Sequence, residues 1–531
     1  MALWALALLA ALALDAANLY LGDLNQDEGW YLYAARQVSR GQVPYRDFAF
    51  TQGPALPYVY ALAEPLVARF GLAGGRAFTA LLGLAAALCA AGLAWRLVAP
   101  GEGRRAGAAL IAFVLIGVNV YQSYFTTVVK TYSLSALFLA LGFLLLTFVT
   151  GRRARAAAFG AGAAMALSAG TRLSCGAVLP VTGLFLLWHW RRAGAAWLWF
   201  GLGGGFVLAA MFLPLYAASP DGFLFGLIGY HTQRHAQEGL ARMLALKAGA
   251  LSRLTQAYFV AAAAGAAVVV ARVFRVGAGG EARSESLRLS LAVWAGAAAV
   301  AIVHFSAPFP YDDYQVMVFP LAAAALAAAV VRAAPGGRAL NAAVAAVFVC
   351  CAAASCSSPI NQEWVVLGRD RIWWKMKPEP AIRTLQRAAA LVRQAAGTAR
   401  GPLLTQDTYL AVEAGMDVPP GLELGPFSYY PDWSDAQAAR LHVMNRRRLR
   451  ECIERAAAPV AALSGYSLSI RSPEVIELPR TDAEDLWRRV REKYAPAGEI
   501  ENFGQAFTTL RILRRAAAAA PGLVRGPVEH E

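Results

Sequence analysis

The chain has 531 residues, of which 58% are hydrophobic and only 16% are charged. Soluble globular proteins carry about a quarter charged residues, so this composition excludes an ordinary soluble enzyme. The formal net charge is +15, but the arginines are dispersed among short loops and the C-terminal third. This dispersal excludes a concentrated nucleic-acid-binding patch and fits the basic cytoplasmic loops of a membrane protein.

Repeated apolar runs, each about 17–24 residues long and separated by short basic loops, predict membrane-spanning helices. The first run lacks a basic segment in front of it, so we predict an uncleaved span rather than a signal peptide. The six cysteines show no metal-ligand spacing, which predicts neither a disulfide framework nor structural zinc. The eleven predicted spans are 2–21, 77–97, 107–119, 131–150, 156–170, 173–188, 196–216, 250–273, 289–306, 314–332 and 339–357.

Arginine placement predicts which connections are cytoplasmic. Arginines recur in alternate connections, and the positive-inside rule assigns such loops to the cytoplasm. They include Arg104 and Arg105, Arg152 and Arg153, Arg191 and Arg192, Arg275 and Arg283, and Arg332 and Arg338. The first polar loop and the long segment after the last span are therefore predicted to lie on the outer face.

The predicted fold is mainly α: a polytopic membrane helix bundle with interfacial helices, followed by a soluble α/β or α+β domain. The transmembrane domain covers 1–357, and its first external loop, 22–76, holds two interfacial helices at 28–40 and 55–71. The extracytoplasmic soluble domain covers 358–515, and 516–531 is predicted to be a disordered tail. Within the soluble domain we predict helices at 379–396, 434–457 and 483–492, and strands at 402–405, 459–463 and 506–513.

The predicted topology gathers ionisable side chains on the outer face. Asp27 and Glu28 begin a short helix directly after the first span. Further polar groups follow in later external connections, namely Lys130, Arg172, His231, Arg234, His235, Tyr311 and Asp313. A carboxylate pair, several cations and two histidines thus converge on one side of the membrane.

Four stretches of this face resemble a known superfamily. Residues 27–36 read DEGWYLYAAR and residues 41–47 read GQVPYRD, while 169–173 read AGTRL and 311–320 read YDDYQVMVFP. These resemble the GT-C glycosyltransferases, in particular bacterial relatives of protein O-mannosyltransferases and the aminoarabinose transferases of lipid A. The resemblance covers about 1–357 and is most specific in the first loop. Where those families often have a lysine before the proline that opens the second interfacial helix, this chain has Gln52-Gly53-Pro54.

The resemblance implies an enzyme that transfers a sugar, with inversion, from a polyprenyl phosphate to a hydroxyl of a lipid, glycan or protein acceptor. It implies Asp27 as the base, with Glu28 in support, because a carboxylate can accept the proton of the attacking hydroxyl. Arg172 is the first choice for binding the donor phosphate, with Lys130 and Arg234 as weaker choices. Further candidates for substrate binding are Tyr31, Gln52, His231, His235, Tyr311 and Asp313. The implied location is the bacterial inner membrane, with the active site outside.

Several alternatives remain open from the sequence. Asp27 could cap its helix, Arg172 could extend to the membrane interface, and His231 with His235 could hold a metal. The loop 421–433 either packs on the core of its own domain or forms a lid or acceptor platform that faces the catalytic loop. Other whole-chain functions are a transporter or flippase, or a non-catalytic scaffold with an external binding domain. No metal site is predicted, and the sequence leaves open the sugar, the acceptor and whether a divalent metal assists.

Overall fold

A computed structural model gives the fold. It describes residues 2–99, 103–149, 152–190, 195–233, 239–273, 285–307, 311–334, 336–356 and 379–516. Helices dominate the N-terminal part: α1 (Ala2–Leu21), α2 (Gln26–Ser39), α3 (Ala55–Ala61), α4 (Glu64–Phe70), α5 (Leu72–Arg96), α6 (Arg104–Gly117), α7 (Val120–Thr127), α8 (Tyr132–Leu146), α9 (Ala154–Thr171), α10 (Val178–Trp190), α11 (Ala196–Ala218), α12 (Pro220–Leu224), α13 (Tyr230–Thr232), α14 (Leu240–Ala257), α15 (Phe259–Val273), α16 (Glu285–Ser306), α17 (Phe319–Ala333) and α18 (Gly337–Cys356). Short 3-10 helices cover Leu173–Ala177 and Asp312–Met317, and a π-helix covers Phe225–Gly229.

Within the described residues each predicted span lies largely on helix, but the count of eleven is not confirmed. Among the described residues, five helices are long and apolar enough to cross a membrane, or up to seven if each of two bent helix pairs is one span. Three shorter apolar helices, including α8 and α17, do not reach that length. The predicted continuous span 250–273 is wrong, because α14 and α15 meet at an angle of 85°.

The two bent helix pairs are joined to each other by one side chain. Helices α6 and α7 meet at 68°, and Asn119 begins α7 by accepting a hydrogen bond from the Gln122 backbone. The Asn119 side chain also donates to the carbonyl of Ala257, the last residue of α14, at 2.9 Å. Carbonyls at a helix end lack an intrahelical partner, and in an apolar environment an unsatisfied one is costly. Asn119 therefore stabilises both bends at once.

The arginine-bearing connections at one end of the bundle contact each other. Arg104 donates to the Val331 carbonyl and Arg332 donates to the Leu97 carbonyl, each at 2.7 Å. Helix α9 begins directly after Arg153, which belongs to another arginine-bearing connection. The helix is 18 residues long and ends just before Arg172. At 1.5 Å per residue the two ends of α9 are separated by about 27 Å.

The C-terminal segment, residues 379–516, combines helices with a small sheet. Its helices are α19 (Ala381–Ala396), α20 (Thr408–Ala414), α21 (Asp435–Arg440), α22 (Arg446–Arg455) and α23 (Arg480–Lys493). Its strands are β1 (Leu403–Leu404), β2 (Val460–Leu463), β3 (Ile470–Arg471), β4 (Ile476–Glu477), β5 (Tyr494–Phe503) and β6 (Thr508–Arg515). In the described residues one sheet has the order β1-β2-β6-β5, parallel only between β1 and β2, and β3 pairs with β4.

The sequence overlooked β5 and merged two helices. Strand β5 lies at the sheet edge, contains Pro496 and Gly498, and has register shifts at these residues and again before Phe503. Proline and glycine are tolerated at such irregular edges but weaken a strand pattern. The predicted helix 434–457 is interrupted because Asn445 caps a new helix with its side chain.

The first external loop and the C-terminal segment share one apolar core. Aromatic residues of the loop, including Trp30, Tyr31 and Phe50, pack in the same cluster as Leu404, Leu410 and other buried residues of the C-terminal segment. A close approach of the two backbones lies at Gly29, where an added Cβ would be 2.1 Å from the Tyr409 backbone nitrogen. This contact requires glycine and fixes α2 against α20.

Replacing Gly29 with Ala should therefore separate the two parts of the chain. Overpacking typically costs 1–3 kcal/mol, and we expect about 3 kcal/mol here because backbone atoms meet the new methyl group. Thermal unfolding in lipid nanodiscs would measure the loss. Gly201→Ala is the matched control, since no atom lies within 4 Å of its added Cβ. Equal stability of the two variants would contradict this close packing.

Candidate active site

A cavity of about 870 Å³ opens between the start of α2, the end of α9 and the C-terminal segment. Eight of the sequence-predicted site residues line it: Asp27, Tyr31, Gln52, Lys130, Arg172, His231, Tyr311 and Asp313. Glu28 does not line it, and Arg234 and His235 lie outside the described residues. Segments far apart in the chain therefore meet around one chamber.

Asp27 projects toward this cavity because another residue caps its helix. Asn25 is the N-cap of α2, and its side-chain oxygen accepts a hydrogen bond from the Asp27 backbone nitrogen at 3.1 Å. The Asp27 carboxylate accepts one from the indole nitrogen of Trp30 at 3.2 Å, and 27% of its side chain is exposed. The alternative that Asp27 merely caps α2 is thus wrong.

Glu28 is buried away from the cavity and paired with an arginine. It is fully buried, and both of its carboxylate oxygens lie 2.7 Å from the guanidinium of Arg76. It also accepts hydrogen bonds from the backbone nitrogens of Asn25 and Val129, at 3.0 and 3.3 Å. Glu28 therefore links the start of α2 to α5 through Arg76, and to the segment just before Lys130 through Val129. Sequence reasoning missed Arg76, although an arginine at the start of an apolar run requires a polar partner.

Lys130 lies between two carboxylates. Its ammonium is 3.4 Å from Asp27 and 3.1 Å from Asp313. Asp313 also accepts a hydrogen bond from the Tyr132 hydroxyl at 2.7 Å. The neighbouring Asp312 instead pairs with Arg253 at 2.8 Å. Lys130 thus bridges the two cavity carboxylates.

The surroundings of Arg172 differ from those of Lys130. Among the described residues no carboxylate lies within ion-pair distance of its guanidinium, which contacts the Tyr314 ring at 4.0 Å and donates to Thr131 at 3.3 Å. Stacking on an aromatic ring orients a guanidinium without neutralising its charge. The side chain faces the cavity, where a planar cation suits the oxygens of a phosphate.

Two histidines and a tyrosine also line this part of the cavity. The His231 ring nitrogen lies 2.9 Å from the Thr51 carbonyl, and His304, which the sequence did not single out, lies 2.8 Å from the Ser174 hydroxyl. Burial, with a smaller contribution from Asp27, raises the pKa of Tyr31 well above its ordinary value, so its phenol stays protonated. Within the described residues no cluster of three or more His, Cys, Asp or Glu side chains could hold a metal.

Two solved proteins share this architecture. ArnT from Cupriavidus metallidurans bound to undecaprenyl phosphate aligns over 98% of this chain and 99% of its own, with 14% identity and a TM-score of 0.60. Its apo state gives the same identity and TM-score. The chain has the GT-C fold. The Archaeoglobus fulgidus oligosaccharyltransferase in its apo form gives a TM-score of 0.50 at 11% identity, over 93% of this chain and 73% of its own. No protein-family model and no curated protein sequence matches the chain.

The C-terminal segment of this GT-C fold also contributes to the cavity. Its lining residues are Phe427, Tyr466, Glu474, Val475 and Gln505. Of these, only Phe427 lies in a stretch that the sequence singled out, the loop 421–433. The Gln505 side chain accepts a hydrogen bond from the Gln26 backbone nitrogen at 2.9 Å, next to Asp27. Most of the loop 421–433 is buried in the core that the C-terminal segment shares with the first external loop, and Phe427 alone of that loop lines the cavity.

Proposed function

We propose that this chain is an integral-membrane inverting glycosyltransferase that uses a polyprenyl-phosphate-linked sugar as donor and a hydroxyl group as acceptor. One observation carries the proposal: a single cavity of a GT-C fold contains the Asp27 carboxylate and the Arg172 guanidinium, which has no described carboxylate partner. The ArnT structure of the same fold contains undecaprenyl phosphate. A non-catalytic scaffold would not require Asp27, Lys130 and Arg172 to gather in one chamber.

Arg172 and Asp27 have different roles in the proposed reaction. The donor phosphate binds at Arg172, and the acceptor hydroxyl lies against Asp27. As the acceptor oxygen attacks the anomeric carbon, its proton passes to Asp27 and the bond from that carbon to the phosphate oxygen breaks. Polyprenyl phosphate leaves with added negative charge, which Arg172 stabilises in a poorly solvated site. Attack from the face opposite the phosphate inverts the anomeric configuration.

The proposed location is a bacterial inner membrane, with the cavity and a C-terminal domain of 358–515 on the extracytoplasmic side. The arginine-bearing connections that contact one another support this orientation, since the positive-inside rule assigns them to the cytoplasm. Arg172 lies at the opposite end of α9 from Arg153, so the cavity would open at the outer leaflet. A polyprenyl tail could then enter from the bilayer while its phosphate reaches the guanidinium.

Replacing Arg172 with Ala should weaken undecaprenyl phosphate binding by about 10–100-fold, the equivalent of one charged hydrogen-bonding partner. Arg172→Lys should retain part of the affinity, because lysine keeps the charge but loses the planar fork. Native mass spectrometry of protein in nanodiscs would measure the bound lipid. The control is Arg69→Ala, an exposed arginine on α4 outside the cavity. Unchanged binding in Arg172→Ala would contradict the phosphate site.

Lipid binding alone does not distinguish a glycosyltransferase from a flippase. The decisive measurement is mass spectrometry of envelope glycans, glycolipids and glycoproteins from cells with and without the gene. A missing sugar substituent supports transfer. An unchanged set of glycoconjugates, with an accumulated lipid-linked sugar on one leaflet, would favour transport.

A further inference from the structure

The cavity has two walls of different chemistry. The membrane helices supply the cations Lys130 and Arg172. The C-terminal segment supplies what we call the C-terminal wall, which consists of Phe427, Tyr466, Glu474, Val475 and Gln505. In the described structure, Glu474 is the one charged residue of this wall. The side outside the C-terminal wall therefore combines these two cations with the Asp27 and Asp313 carboxylates. Among the described residues, the C-terminal wall has a carboxylate and no cation.

Glu474 is presented by an anchored hairpin. It lies in the four-residue connection between β3 and β4, where Arg471 pairs with Ile476. At the start of this connection, Ser472 donates from its backbone to the Tyr429 carbonyl at 2.7 Å and from its hydroxyl to the Phe427 carbonyl at 2.9 Å. Within the described chain, no hydrogen bond or ion pair engages the Glu474 carboxylate. The backbone that carries Glu474 is thus anchored by Ser472, and the Glu474 carboxylate lines the cavity with open acceptor positions.

The C-terminal wall is attached directly to the start of α2. Gln505 accepts from the Gln26 backbone nitrogen at 2.9 Å, and Tyr466 hydrogen bonds with the Gln26 side chain. Gln26 precedes Asp27 in the chain. A molecule held by this wall would therefore lie beside the proposed base.

We propose that the C-terminal wall is the acceptor subsite and that it selects a neutral or cationic polyhydroxy acceptor. This inference rests on the proposed function. A carboxylate and an amide accept hydrogen bonds from sugar hydroxyls, and aromatic rings pack on the apolar faces of sugar rings. The same carboxylate repels a phosphate or carboxylate close to the reacting hydroxyl. The acceptor subsite therefore disfavours anionic groups, whereas the proposed donor site at Arg172 favours the anionic phosphate.

A charge series on one sugar ring tests this subsite. Glucosamine, glucose and glucose 6-phosphate are titrated into the full-length protein in nanodiscs saturated with undecaprenyl phosphate, and binding is followed by saturation-transfer NMR. We expect glucose 6-phosphate to bind at least about tenfold more weakly than glucose, and glucosamine at least as well as glucose. Glu474→Gln should remove most of this preference, and Glu474→Lys should reverse it. Glu477→Gln is the matched control, since Glu477 is exposed on β4 and does not line the cavity.

The series is repeated in the Arg172→Ala background without lipid, where the proposed phosphate site is removed. In this background the sugar series measures binding at the C-terminal wall, independently of whether undecaprenyl phosphate binds at Arg172. Failure of the donor site and failure of the acceptor subsite are therefore distinguishable. Binding of glucose 6-phosphate equal to that of glucose would overturn the proposal. The same holds if none of the three sugars binds, or if Glu474→Lys leaves their order unchanged.

Discussion

Replacing Asp27 with Asn should abolish most sugar transfer while leaving a folded protein that still binds undecaprenyl phosphate. A positioned general base contributes about 10²–10⁴-fold to a rate, so we expect a loss in that range. Asparagine keeps an oxygen that can accept from the Trp30 indole, and the backbone bond to Asn25 is unaffected. Lys130 retains its contact with Asp313. The substitution therefore removes the base with little change to its surroundings.

The measurement is complementation of a deletion strain, with mass spectrometry of the envelope glycoconjugates that the deletion alters. Asp47→Asn is the matched control in the same external loop. Asp47 pairs with Arg46 at 2.8 Å and does not line the cavity, so this variant should complement fully. Full complementation by Asp27→Asn, with protein amount matched, would exclude Asp27 as the base.

The first loop was predictable because its chemistry is local. The DEGWYLYAAR stretch directly follows an apolar run, and a carboxylate next to aromatic residues stands out in a chain with so few charges. Charged residues near a membrane are costly unless they have a function or a partner. The same reasoning singled out Lys130, Arg172 and Asp313, which the fold brings to one cavity.

What the sequence did not reveal depends on contacts between distant segments. Glu28 was predicted to support Asp27 at the site, but a partner 48 residues away holds its side chain outside the cavity. The residues of the C-terminal wall lie in short connections whose sequences have no periodic hydrophobic pattern. Only the tertiary structure therefore places Glu474 in the cavity wall and Gln505 beside α2. The bend at Tyr258 was invisible for a related reason. Hydropathy is continuous across it, and the polar group that accommodates it is Asn119, far away in sequence.

The ion pair of Glu28 and Arg76 should be the most sensitive stabilising contact of the site. Both side chains are fully buried. Removing one partner of a buried pair typically costs about 3–5 kcal/mol, because the other charge is left uncompensated. By contrast, the pair of Arg40 and Asp417, at the same 2.7 Å, has both side chains about half exposed and should contribute about 0–1 kcal/mol.

The two partners should not be equivalent. Without Glu28, the Arg76 guanidinium still donates to the carbonyls of Leu19, Gly22 and Asp23. Without Arg76, Glu28 keeps only two backbone donors, those of Asn25 and Val129. Carbonyl oxygens compensate a buried cation better than two amides compensate a buried carboxylate that has lost a bidentate partner. We therefore expect Arg76→Met to lower the unfolding temperature more than Glu28→Gln.

Thermal unfolding in nanodiscs, with Arg40→Ala as the exposed-pair control, measures this order. The double variant Glu28→Gln with Arg76→Met should be more stable than Arg76→Met alone, because it leaves no buried charge without a partner. If Glu28→Gln or Arg76→Met is folded at a reduced assay temperature, its activity also distinguishes a positioning role of the ion pair from a direct role in catalysis. Loss of the ion pair should shift the start of α2, and with it Asp27, and slow transfer, while phosphate binding at Arg172 persists. If Arg76→Met unfolds no earlier than Arg40→Ala, the pair does not hold α2 in place, and the position of Asp27 must depend on its contacts with the C-terminal segment.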